Sequence, residues 1–119
     1  MTLGDLQRRF TVLVGRLIAF ADAQGYELTF GEAYRTPEQA AWDASHGTGI
    51  AHSEHCLRLA VDFNLFVEGK YQSTPAPYAP LGAFWKSQSD IANAIICCWG
   101  GDFATKDANH FSLQFQGVK

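Results

Sequence analysis

His55, Asp62 and His110 are the residues of this chain whose types and placement most readily do chemistry together. Two imidazoles and a carboxylate supply three donors to a metal ion and leave a fourth position for water. That is the composition of a catalytic zinc site, whereas a structural site would usually be closed by four protein ligands, typically including thiolates. Bound zinc lowers the pKa of its water towards about 7, which makes a nucleophile available at neutral pH. Such a site also needs a general base aimed at the water and not at the metal. Asp107, three residues before His110, is the natural candidate, with Glu54 and Asp102 as competitors. His46 and His52 lie in the same loop as His55 and are alternative ligands.

These side chains can meet only if the elements around them lie on one side of a sheet. In residues 59–66 the alternation puts Leu59, Val61, Phe63 and Leu65 on one face and Ala60, Asp62 and Asn64 on the other. In residues 110–115, Phe111, Leu113 and Phe115 share a face opposite His110, Ser112 and Gln114. If these two strands are neighbours, Asp62 and His110 project from the same polar face. The odd separation between His55 and Asp62 places His55 on the loop before the strand, bent back over the sheet.

The apolar faces need a cover. Residues 3 to about 23 carry Leu3, Leu6, Phe10, Leu17 and Phe20 at helical spacing, with Thr2 as a cap and Gly25 where a helix stops. A strand is predicted across residues 26–33. A short helix follows to about residue 45, with Thr36 as N-cap and Pro37 at its first position. Residues 46–53 read as a loop, Glu68-Gly69 as a turn with Lys70-Tyr71 beginning the return, residues 73–80 as a Pro-rich loop, and residues 81–98 as mainly helical. No repeat or linker interrupts the chain. The expected architecture is a single α+β domain over residues 1–119, a small antiparallel sheet with helices packed on one face and the zinc site on the other.

Length and composition agree with that reading. The chain has 119 residues, of which 47% are hydrophobic and 13% aromatic, enough for one buried core and too apolar for disorder. The net charge of -3, without a Lys/Arg cluster, offers no footprint for nucleic acid. Cys56, Cys97 and Cys98 form no metal-binding pair and are expected to be free thiols of a reducing compartment. Arg8, Arg9 and Arg16 interrupt the N-terminal apolar stretch, so no signal peptide is expected, and no run approaches the roughly 20 apolar residues of a membrane span. The expectation is a monomer made in the cytoplasm, without membrane insertion.

Ser53-Glu54-His55-Cys56-Leu57-Arg58-Leu59-Ala60-Val61-Asp62 resembles the S-x-H-x-x-G-x-A-x-D motif of the D-alanyl-D-alanine metallopeptidases. Asp107-Ala108-Asn109-His110 resembles their second motif, and Tyr34-Arg35-Thr36 stands upstream in the right order. With Trp99-Gly100-Gly101-Asp102-Phe103 before the second motif, the chain looks most like phage endolysins of the VanY-like branch. One position departs from the pattern: Arg58 stands where the motif has glycine, a costly choice if that backbone needs positive φ.

The resemblance implies that His55, Asp62 and His110 bind Zn2+ and that Asp107 is general base and acid. It implies that Arg35 stabilises an oxyanion or a substrate carboxylate, where the alternative is a salt bridge to Glu32 or Glu38. Ser53 would hydrogen-bond near the bond being cut, and Trp99, beside the second motif, is a candidate substrate contact. The implied substrate is the stem peptide of bacterial peptidoglycan, cut at L-alanyl-D-glutamate, with D-alanyl-D-alanine carboxypeptidase or cross-bridge endopeptidase as alternatives. Two other classes remain: a non-catalytic zinc module like the Hedgehog signalling domains, and a wall-binding domain with Trp42, Trp85, Trp99 and Tyr78 as an aromatic platform.

Overall fold

In this computed structural model residues 1–47, 49 and 53–119 are described. The first element is the long helix α1 (Leu3–Ala23). Its start is a reciprocal cap: Asp5 N–H donates to Thr2 Oγ1 at 3.1 Å, and Thr2 N–H donates to Asp5 Oδ2 at 2.9 Å. Leu6, Phe10, Leu13, Leu17 and Ala21 form its buried stripe. Each fully buried leucine of such a stripe contributes about 1.5–3 kcal/mol.

Five strands make the sheet: β1 (Glu27–Phe30), β2 (Ala60–Val67), β3 (Lys70–Tyr71), β4 (Cys97–Trp99) and β5 (His110–Leu113). Their order is β1-β2-β5-β4, with β3 paired to β2, and every pairing is antiparallel. Leu59, Val61, Phe63, Leu65, Phe111 and Leu113 form one core with the stripe of α1 and with Leu81 and Trp85 of α3 (Ala79–Ser87). Trp85 Nε1–H donates to the Ser112 carbonyl at 3.1 Å, tying α3 to β5. The fold is α+β, as the alternation implies. No helix among the described residues is long and apolar enough to cross a membrane.

Two features differ from the sequence expectation. The short helix α2 (Pro37–Ser45) is capped by Thr36 as expected, with Gln39 N–H donating to Thr36 Oγ1 at 3.1 Å. It does not join the helical layer, however, but sits beside the site, where its Asp43 approaches Arg35 to 3.9 Å. Residues 81–98 are not mainly helical. α3 ends at Ser87, Asp90 and Ile95 bridge a tight turn, and the chain re-enters the sheet as β4. All three residues of β4 are buried. A short strand covered on both sides has no polar face, so its apolar run carries no period to distinguish it from helix.

Candidate metal centre

Register brings the first two donors together. Asp62 of β2 lies directly opposite His110 of β5, on the face away from α1 and α3. The third comes from a 3-10 helix, Glu54–Leu57, that precedes β2. Ser53 caps it, its Oγ accepting from the His55 N–H at 3.1 Å. His55 Nδ1 stands 3.1 Å from the Ala33 carbonyl. A carbonyl only accepts, so Nδ1 carries the proton and Nε2 presents its lone pair to the site.

His55 Nε2 is 3.3 Å from Asp62 Oδ1, and His110 Nδ1 is 3.4 Å from the same oxygen. One donor atom from each of the three residues lies within 4.8 Å of the others. Asp62 Oδ1 is buried and has no hydrogen-bond partner among the described residues. Tetrahedral donors held about 2.0–2.1 Å from an ion stand roughly 3.3–3.4 Å apart, longer than a hydrogen bond between them would be. The residues therefore fit a metal ion with an open position. Burial works to raise the Asp62 carboxyl, but the imidazoles of His110 and His55 outweigh it and hold the group at about 2. Burial works the other way on His55, where Asp62 and the Ala33 carbonyl prevail and raise its pKa.

Asp107 comes next. Its Oδ2 is 3.8 Å from His110 Nδ1, it lines the pocket of the three donors, and its side chain stays half-exposed. Partial burial and the nearby Asp62 charge raise its pKa against the pull of His110. Of its sequence competitors, Asp102 is paired with Lys86 at 2.7 Å on the surface. Glu54 is buried and lines a different cavity, where desolvation pushes it up to about 7. Arg35 lines the metal pocket but is also held by Glu32, its Nε donating to Glu32 Oε1 at 2.7 Å. Burial opposes its charge, and Glu32 and Asp43 keep the pKa raised.

Glu32, which the sequence offered with Glu38 as a salt-bridge partner for Arg35, takes that role and also lies 3.8 Å from His55 Nδ1. Other groups at the site were not foreseen. Phe103 packs its ring 5.5 Å from that of His110, and Lys106 and Lys119 line the pocket. The orienting carbonyl of Ala33 is a backbone group that any residue would supply.

Other candidates lie elsewhere. His46 is exposed and stacks on Trp42 at 3.8 Å; His52 lies outside the described residues. Trp99 is not in the metal pocket: it pairs with Phe111, so its indole faces the helical layer against Gly82, with Nε1–H donating to the Ala108 carbonyl at 2.7 Å. It packs behind the second motif, on the side of the sheet away from the three donors. Tyr78 and Trp85 are buried in the core while Trp42 is exposed, so the four aromatics make no common platform. Cys97 and Cys98 are held as thiols by burial, Cys97 being pushed up to about 11.

Arg58 takes the backbone conformation that suits glycine, with φ 57 and ψ 35. Its guanidinium lies 4.0 Å above the Tyr34 ring. The left-handed backbone costs about 1–2 kcal/mol, and an exposed cation–π contact returns about 0.5–1 kcal/mol. Arg58→Gly is thus expected to change stability by less than about 1 kcal/mol in urea unfolding. Arg58→Val, which loses the contact and puts a β-branched residue at positive φ, should cost about 2 kcal/mol or more. A comparable loss for both would mean that the Tyr34 contact, and not the backbone, governs this position.

The family model for D-alanyl-D-alanine carboxypeptidase matches residues 46–113, more than half of the chain. The match includes all three metal donors and Asp107. No curated protein matches. Among solved structures, the L-Ala D-Glu endopeptidase ChiX of Serratia marcescens is similar, with a TM-score of 0.69 and 26% identity over 89% of this chain and 80% of that one. With three donors spaced for a metal, an acid beside them and the matched motifs in order, the chain belongs to the D-alanyl-D-alanine carboxypeptidase family of metallopeptidases.

Proposed function

We propose that this protein is a zinc-dependent peptidoglycan peptidase that hydrolyses the L-alanyl-D-glutamate bond of the stem peptide. The observation that carries the reading is the open three-donor cluster with Asp107 beside it but outside the donor set. When bound, zinc would polarise the scissile carbonyl and acidify the attacking water. Asp107 is near enough to take the proton of that water and pass it to the departing amine, and its raised pKa suits a group that must hold the proton between the two steps. Arg35, oriented by Glu32, supplies fixed donors for the developing charge on the carbonyl oxygen or for a substrate carboxylate. Ser53 lines the same pocket, although its hydroxyl already accepts from the His55 amide.

The choice of bond draws on two supports. The similar Serratia protein is named for cutting between L-Ala and D-Glu. Arg35, Lys106 and Lys119 give the pocket a cationic lining, which suits an acidic residue next to the cut. In the endolysin reading, a monomer made in the host cytoplasm reaches the wall at lysis through a phage-encoded pore.

The test is mass spectrometry of fragments released from purified peptidoglycan by the zinc-loaded protein, before and after stripping with a chelator. A new D-glutamate amino terminus that appears only with the metal is the expected result. Release of D-alanine alone would make the protein a carboxypeptidase, and new termini in the bridge a cross-bridge endopeptidase. Bound zinc without any release would leave a non-catalytic zinc module.

A further inference from the structure

Of the two imidazole donors, His55 has a hydrogen bond that fixes its ring, through Nδ1 and the Ala33 carbonyl at 3.1 Å. His110 is held differently. It turns Nδ1 towards the donor cluster, 3.4 Å from Asp62 Oδ1, which leaves Nε2 to carry the proton. That atom is buried and has no hydrogen-bond partner among the described residues. A metal-binding imidazole ordinarily donates its second N–H to a carboxylate or carbonyl, and that bond sets the direction of the lone pair. The torsion that turns a histidine ring is broad, so the backbone alone does not set it. Some other contact must aim Nδ1.

Two rings meet that of His110 among the described residues. One is the fellow donor His55, edge-on at 5.1 Å and 72°. The other is Phe103, at 5.5 Å and 54°. Phe103 is half-buried, yet it belongs neither to the core nor to the apolar residues packed against it. It lines the metal pocket instead. Its backbone is tied to the same residue that backs His110: Phe103 N–H donates to the Gly100 carbonyl at 3.1 Å, and a Cβ on Gly100 would lie 2.9 Å from His110 Cβ. An aromatic pair prefers certain ring angles and so restrains a ring without a polar partner. Resting on the metal reading of the three donors, we propose that Phe103 is a positioning residue for the metal. Its ring holds the His110 imidazole at the angle that points Nδ1 at the ion, in place of a hydrogen bond to Nε2.

The test measures zinc affinity of the whole chain by competition against a chelator. Phe103→Ala is expected to weaken zinc binding about 10-fold or more, as the loss of an orienting partner ordinarily does. Phe103→Tyr, which keeps the ring and can turn its hydroxyl to solvent, should stay close to the wild type. Thermal unfolding of the metal-free proteins separates this role from a general loosening: Phe103→Ala should melt close to the wild type, because Phe103 lies outside the core. A spectroscopic reading reports on the donors themselves. The visible bands of the cobalt(II)-loaded protein should change in Phe103→Ala and return in Phe103→Tyr. Parental zinc affinity in Phe103→Ala would overturn the proposal, and so would an equal loss in the alanine and tyrosine variants. An NMR signal of His110 Nε2–H far downfield, as for a strong hydrogen bond, would also overturn it, since an acceptor would then orient the ring. A wild type that bound no zinc would remove the metal centre and this role with it. Weakened zinc binding in Phe103→Ala, with no peptidoglycan cleavage by the wild type, would keep the role and overturn only the peptidase reading.

Discussion

Asp107→Ala is expected to bind zinc as the parent protein does and to release peptidoglycan fragments about 10²–10⁴-fold more slowly, the usual contribution of a positioned general acid–base group. The separation of the two effects follows from geometry. The donor atoms of His55, Asp62 and His110 lie within 4.8 Å of one another, and Asp107 is not one of the three. Its Oδ2 stops 3.8 Å from His110 Nδ1, and its half-exposed side chain lines the pocket that holds the three donors. Removing it takes away a proton carrier and leaves the ion's protein donors untouched. Asp107→Asn keeps the shape and loses only the ionisable proton, so it should lose about as much rate as the alanine variant. The measurement pairs metal content from elemental analysis with initial rates on purified peptidoglycan. Loss of zinc from the variant would make Asp107 a ligand and require another group to move the proton. Full activity would remove it from the reaction altogether.

How much of this was legible before the structure depends on the kind of signal each residue carries. Asp62 and His110 lie on alternating strands, whose period of two assigns a face to every side chain, and pairing them needed only that the strands be neighbours. His55 was legible as lying before the strand, because an odd separation puts it on the opposite face from Asp62 if the strand continues; that the expected loop is a 3-10 helix was not legible. Trp99 shows the limit of closeness in sequence. It stands near the second motif, but its register partner is Phe111, one residue beyond His110, and one residue along a strand reverses the face. Glu54 likewise adjoins a ligand in the chain but faces a different cavity. Glu32 and the Ala33 carbonyl reach the site through backbone pairing, Asp62 N–H donating to the Glu32 carbonyl at 2.8 Å. That pairing joins residues 30 apart and leaves no local pattern to read.

Gly100→Ala should destabilise the protein by about 3 kcal/mol or more, lowering its melting temperature by roughly 10–20 °C, and weaken zinc binding at the same time. A Cβ at this position would lie 2.0 Å from the Asp107 carbonyl oxygen and 2.9 Å from both the Asp107 carbonyl carbon and His110 Cβ. Most of what it meets is backbone, so no rotamer change can make room. The Gly100 carbonyl also accepts from the Asp107 N–H at 2.9 Å and from the Phe103 N–H at 3.1 Å, so the same residue anchors both sides of the loop that carries Asp107. Pushing residues 107–110 outward would carry His110 away from Asp62, across the rung that brings two of the three donors together. The coupling of the two losses is what distinguishes this position. A substitution that only loosened the core would lower the melting temperature of the metal-free protein and leave the zinc affinity of the folded fraction unchanged. Thermal unfolding with and without zinc, together with a competition titration against a chelator, separates the cases. A variant that melts lower yet keeps parental zinc affinity would show that the loop yields elsewhere, and that Gly100 supports the fold without setting the geometry of the metal centre.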